Sequence, residues 1–129
     1  MDPRDTDPRT FLMRSARKMA GTINGEAAGM VRIALVEGWR FPELRKMYVE
    51  SSARGRALYR EALEIWHGRG LLPQLGDAER ATELFVNMVN DPIRIRIAMG
   101  EPMRAAEVEE HVPYIVEKFL RACGYAGNG

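Results

Sequence analysis

Glu107 and His111 stand four residues apart, which puts both on one face of a helix at the spacing of a metal-binding pair. A zinc site needs a third and fourth donor, and His67 is the only other histidine. Cys123 is the single cysteine, so the chain has no intrachain disulfide and no cysteine-rich metal site. No glycine-rich phosphate loop, no nucleophile elbow and no Ser/His/Asp set at workable spacing occurs. The expectation is a protein without catalytic residues, metal or cofactor, and not an enzyme. What remains is binding chemistry, which depends on the elements that carry the polar side chains.

The chain has 129 residues, enough for one domain with an apolar core and too few for two ordinary ones. Basic residues number 19 and acidic ones 18, for a net charge of +1, which argues against a surface built to grip phosphate backbones. No apolar run reaches the roughly 18 residues of a membrane span, and the first 20 residues lack the order of a signal peptide, so a cytoplasmic protein is expected.

Residues 1–6 repeat Asp and Pro without periodicity and are expected to form a flexible lead-in, with one domain over 7–125 and a short tail at 126–129. Asp7-Pro8 starts a helix: Asp accepts orphan backbone N–H groups, and Pro is tolerated in the first turn. Phe11, Leu12, Ala16, Met19, Ala20 and Ile23 give it an apolar face. Residues 27–37, AAGMVRIALVE, are apolar almost all round, as in a helix buried on several sides, with Arg32 expected to pair with a nearby carboxylate.

The stretch EGWRFPEL then reads as a corner, with Gly38 ending one helix, Pro42-Glu43 starting the next, and Trp39 and Phe41 plugging the end of the core. A break is expected at Ser51, Ser52 and Gly55, dividing the helical stretch after Pro42 into a short and a longer helix. Asp77 caps the next helix, whose segment Ile93-Arg94-Ile95-Arg96-Ile97 alternates like a strand. A lone five-residue strand cannot satisfy its backbone, so it is read as helix, with Ile93 and Ile97 on one face and Ile95 and Met99 on another. A helix apolar on two faces needs two sets of neighbours. Asn90 and Asp91 are assigned to capping or hydrating the bend at Pro92, and Arg94 and Arg96 to a solvated or interface face. The last helix carries the cleanest stripe, from Val108 to Cys123, and is expected to bend at Pro113. The sum is an all-α bundle of about six helices.

The corner RFPEL (40–44), the helix LYREALEIWHGRGLL, the segment DAERATELFVNMVNDPIRIRIAMGE and the closing EVEEHVPYIVEKFLRACGY, in this order and spacing, resemble the C-terminal domain of TetR/AcrR transcriptional regulators from Asp7 to Tyr125. The resemblance implies an all-helical domain that binds a small effector among its central helices and forms a homodimer. The dimer would be a four-helix bundle of the last two long helices, with Phe85, Val89, Ile93, Ile97, His111, Val112, Ile115 and Phe119 as candidate interface. The helix-turn-helix of that family, through which its members reach DNA, has no counterpart before Asp7.

Polar and aromatic side chains set among the apolar stripes are the candidate effector contacts: Asn24, Arg32, Tyr48, Tyr59, Trp66, His67 and Asn87, with Met30, Met47 and Met88 as adaptable walls. Plain core packing is the competing role for each methionine and aromatic. The expected function is effector sensing and dimerisation for a regulator, with a small hydrophobic or aromatic ligand and no membrane partner. The alternatives are a stand-alone helical dimer that binds or acts on such a molecule, and a pure interaction module with a filled core.

Overall fold

The computed structural model describes residues 1–127; within them lie five helices and no strand, so the fold is all-α. They are α1 (Pro8–Asn24), α2 (Ala28–Glu37), α3 (Pro42–Gly68), α4 (Ala78–Ala98) and α5 (Ala105–Ala122). Of the expected tail, residues 128 and 129 lie outside the described residues.

The count is five rather than six because α3 runs unbroken through Ser51, Ser52 and Gly55. These are exposed or half-exposed positions, where a few tenths to about 1 kcal/mol of unfavourable helix propensity per residue is too little to break a 27-residue helix. The segment Ile93–Ile97 is helical, inside α4. Asp7 and Asp77 cap α1 and α4 by accepting from the backbone N–H groups of Thr10 and Arg80. At α5 the carboxylate of Glu107 reaches back to the Arg104 N–H at 3.0 Å, the reciprocal half of a capping box. Gly100, at φ 81°, makes the left-handed turn from α4 towards α5.

Four helices pack on α4, which places Phe85, Val89 and Ile93 at zero exposure in the centre. Phe85 lies between Tyr59 of α3 and Phe119 of α5, at centroid separations of 5.3 and 4.9 Å. A second pair, Phe11 and Trp66, meets edge-on at 5.2 Å and joins α1 to the end of α3. The Trp66 indole N–H donates to the Pro3 carbonyl at 2.9 Å, and Arg69 donates to the Arg4 carbonyl. These bonds connect the lead-in to the C-terminal end of α3. Arg9 and Glu117 form a forked pair, 2.6 and 3.2 Å, which links α1 to α5.

Burial is uneven along the chain. In α3 every buried residue, Tyr59, Ala62, Leu63 and Trp66, lies in the C-terminal half, and α2 buries only Val31 and Ala34. The expectation that α2 is enclosed on several sides is corrected: Met30, Ile33, Leu35 and Val36 are 42–48% exposed. So is the expectation that Trp39 and Phe41 plug the core, since they are 76% and 47% exposed. The corner itself turns as expected at Gly38, which is buried and where any Cβ would strike the Ala34 carbonyl oxygen.

The α4–α5 seam contains a compensated proline. Pro92 has no N–H, so the Met88 carbonyl, four residues earlier, loses its helical donor. His111 of α5 places Nε2 3.0 Å from the carbonyl oxygens of both Met88 and Val89. Two carbonyls can only accept, so Nε2 carries the proton in this tautomer. Replacing His111 by Ala should cost about 1–2 kcal/mol in urea unfolding, and less in a Pro92→Ala background, where the substituted alanine restores the missing N–H. Equal losses in both backgrounds would show that the histidine does not serve the proline gap.

Candidate functional site

The thin packing of α2 and of the first half of α3 leaves a groove where these elements meet α4. Its volume is about 540 Å³, within the range of small-molecule sites. Asp91, Arg94, Ile95 and Ala98 come from α4, Tyr48, Val49, Ser52 and Arg56 from α3, and Leu35 from α2. The groove opens to solvent along its length rather than closing as an internal chamber.

Helical spacing explains the set. On α4, residues 91, 94, 95 and 98 recur every three or four positions and so share one face. On α3, residues 48, 49, 52 and 56 do the same. Arg94 is held within this face: its Nη1 donates to Asp91 Oδ1 at 2.9 Å, and its guanidinium lies 5.9 Å from the centroid of the Tyr48 ring. The Arg94 side chain is only 17% exposed, and its Nε is buried without a hydrogen-bond partner. Arg56 is half-buried and makes no ion pair with a described residue.

A second groove, of about 520 Å³, continues along α3 and α4 on the other side of Arg56, which lines both. It is charged and balanced, with Arg56 and Arg60 facing Glu79 and Glu83, and Asn87 at one end. Arg60 is already engaged by Glu64 at 2.8 Å and Glu79 at 3.8 Å. An apolar ligand would find little to cover there.

Of the ten residues expected to contact an effector, the structure brings Tyr48 to the first groove and Asn87 to the second. Tyr59 and Trp66 are core residues, and burial pushes the Tyr59 phenol up to about 12 although the Ser15 hydroxyl opposes the shift. Asn24 donates through Nδ2 to the Met103 carbonyl at 2.7 Å, clamping the end of α1 to the segment before α5. His67 is exposed, with Nδ1 2.9 Å from the Leu72 carbonyl, where it pins the loop after α3. Met30, Arg32 and Met47 face outwards, and Arg32 makes no ion pair with a described residue, contrary to the expected carboxylate partner. Met88 is half-buried beside the core.

The candidate interface residues are placed differently from the expectation. Phe85, Val89, Ile93, Ile97, Val112, Ile115 and Phe119 are at most 9% exposed and close this chain's own core, so they offer almost no surface to a second copy. Only His111 reaches the surface in part. The outward side of α4 carries instead Leu84, Pro92, Ile95 and Met99, with half-buried Met88 between them. Tyr114 of α5 is 62% exposed.

The remaining polar candidates have structural partners. Glu107 is held below the usual carboxylate range, chiefly by the Arg104 backbone N–H and then its side chain. With His111 engaged by α4 carbonyls, the Glu107/His111 pair faces two different neighbours. Arg96 reaches Glu107 at 3.4 Å and the Glu101 carbonyl at 2.8 Å, and so belongs to the α4–α5 turn. Asn90, assigned from sequence to a hydrated bend, is 2% exposed and donates to the Met19 sulfur, pointing into the protein towards α1. Cys123 is buried, which pushes its thiol up to about 11.

Arg56, Arg94 and Asp91 were not among the expected ligand contacts. The Asp91/Arg94 spacing of three was a legible local signal, but the Tyr48–Arg94 contact joins two helices that no sequence period connects.

An all-helical domain is the fold implied by the TetR-type resemblance. The chain belongs to that class: residues 11–125 match the family described as AefR-like transcriptional repressor, C-terminal domain. The family's members are C-terminal domains of transcription regulators. No curated protein and no solved structure matches the chain. No helix among the described residues is long and apolar enough to cross a membrane.

Proposed function

We propose that the chain is an effector-sensing, homodimerising domain, and that the effector is a small hydrophobic or aromatic molecule seated between α2, α3 and α4. The observation that carries the proposal is the groove beside Tyr48, Val49 and Arg94: it is of ligand size, walled by apolar side chains, and contains oriented polar groups. Its walls are the least deeply packed elements, α2 and the first half of α3, set against the best packed one. A ligand filling it favours the arrangement of these helices that it contacts best, and shifts the domain by that differential affinity. In a regulator of this family such a shift acts on DNA through a helix-turn-helix domain. Filling the groove should block it: Val49→Trp is expected to weaken binding of the uncharged fluorophore N-phenyl-1-naphthylamine by about tenfold or more, with the fold intact by circular dichroism. Unchanged binding would remove the groove as the site.

The homodimer is proposed to form through the outward stripe of α4, Leu84, Met88, Pro92, Ile95 and Met99, together with Tyr114 of α5. These positions repeat at intervals of three or four, so they form one apolar ridge beside the intrachain core. Sedimentation should give a dimer at tens of micromolar (order of magnitude) and a monomer for the Leu84→Glu, Met99→Glu double variant, because two buried carboxylates without partners are strongly unfavourable. A wild-type monomer, or a variant that remains dimeric, would refute this interface.

A further inference from the structure

The groove between α2, α3 and α4 has a charge pattern that specifies more than hydrophobicity. Two guanidinium groups, Arg56 and Arg94, line it against one carboxylate, Asp91. Within its own lining the groove thus has one positive charge in excess, with Arg56 shared with the balanced second groove. Asp91 occupies Nη1 of Arg94, while the Nε donor of the same group is buried and has no acceptor. Arg56 is half-buried with no ion-pair partner among the described residues. Arg56 also borders the second groove beside Glu79 and Glu83 but is in ion-pair contact with neither, so its guanidinium retains free donors that an anionic ligand group can engage.

The walls restrict the rest of the ligand. Leu35, Val49, Ile95 and Ala98 supply aliphatic surface, and the Tyr48 ring, with Arg94 over it, supplies a flat one. We infer that the effector is an organic monocarboxylate with an apolar body, its carboxylate set between Arg56 and Arg94 and its body along the α2 and α4 walls. Planar guanidinium forks match carboxylate oxygens in pairs, which gives the anion orientation as well as attraction. A dianionic phosphate fits less well, because the site offers one net positive charge rather than two and Asp91 faces the same space. This inference rests on the groove being the effector site, and it narrows the chemical class of what binds there.

The test displaces N-phenyl-1-naphthylamine from the wild-type protein with decanoate, decanol, 2-naphthoate and decyl phosphate at neutral pH. Decanoate or 2-naphthoate should compete at least about tenfold better than decanol, and better than decyl phosphate. The comparison of decanoate with 2-naphthoate separates an alkyl from an aryl acid. Arg56→Gln and, independently, Arg94→Gln should each reduce that carboxylate preference by about tenfold while leaving decanol unchanged. Arg56 makes no ion pair with a described residue, so its variant reports even if Arg94→Gln perturbs the fold. Equal competition by decanoate and decanol, stronger competition by decyl phosphate, or a carboxylate preference that survives both substitutions would overturn the inference. Those outcomes leave the groove in place as long as Val49→Trp still weakens binding of the uncharged probe; if Val49→Trp has no effect, the groove and the carboxylate fall together.

Discussion

The burial of α4 is the constraint on which the other helices depend. It touches all four of them, and its residues Phe85, Val89 and Ile93 have no exposure to solvent. Truncating a buried side chain of this size costs about 2–5 kcal/mol, a large part of the 5–15 kcal/mol that stabilises a typical domain. Pro92 within this helix deprives the Met88 carbonyl of its helical donor. The chain keeps Pro92 by lending it a donor from α5, the Nε2–H of His111. The seam between the two helices is thereby held by a polar contact as well as by the tilted ring contact of Phe85 with Phe119.

Around that helix the packing is asymmetric, and the asymmetry is where function can reside. The side formed by α1, α5 and the end of α3 is closed by aromatic pairs and by the Arg9–Glu117 fork. The other side, α2 with the first half of α3, buries only Val31 and Ala34 and leaves an open groove. Ile95 lines this groove and also belongs to the exposed ridge of α4. A ligand in the groove and a second copy on the ridge would press on adjacent faces of the same helix. That shared helix gives a short physical route by which one binding event can bias the other.

Much of this was legible from residues alone, and the misses have identifiable causes. Asp7-Pro8 and Asp77 announced two helix starts because capping is local chemistry. The strand-like Ile93–Ile97 resolved to helix because an isolated strand has nowhere to place its hydrogen bonds. The expected break at Ser51–Gly55 failed because propensity is a weak prior in a long helix. Apolar composition suggested that α2, Trp39 and Phe41 would be buried, but composition does not say whether another element exists to cover them. For α4 the two apolar faces were visible, yet periodicity could not say which one meets the chain's own core; Phe85 and Ile93 do, while Ile95 and Met99 face out. The groove was the least legible feature, since Tyr48, Arg56 and Arg94 meet only through the packing of α3 on α4.

The central claim is that a well-packed seam on α4 supports a thinly packed wall, α2 and the first half of α3, and that this difference creates the binding groove. Backbone amide exchange followed by mass spectrometry on the ligand-free protein tests it directly, because local stability follows the buried contacts that an element makes. Amides in 28–58 should exchange at least about tenfold faster than those in 85–97 and 108–120, corresponding to a difference of about 1.4 kcal/mol or more in opening free energy. Protection of 28–58 equal to that of the α4 and α5 cores would contradict the account.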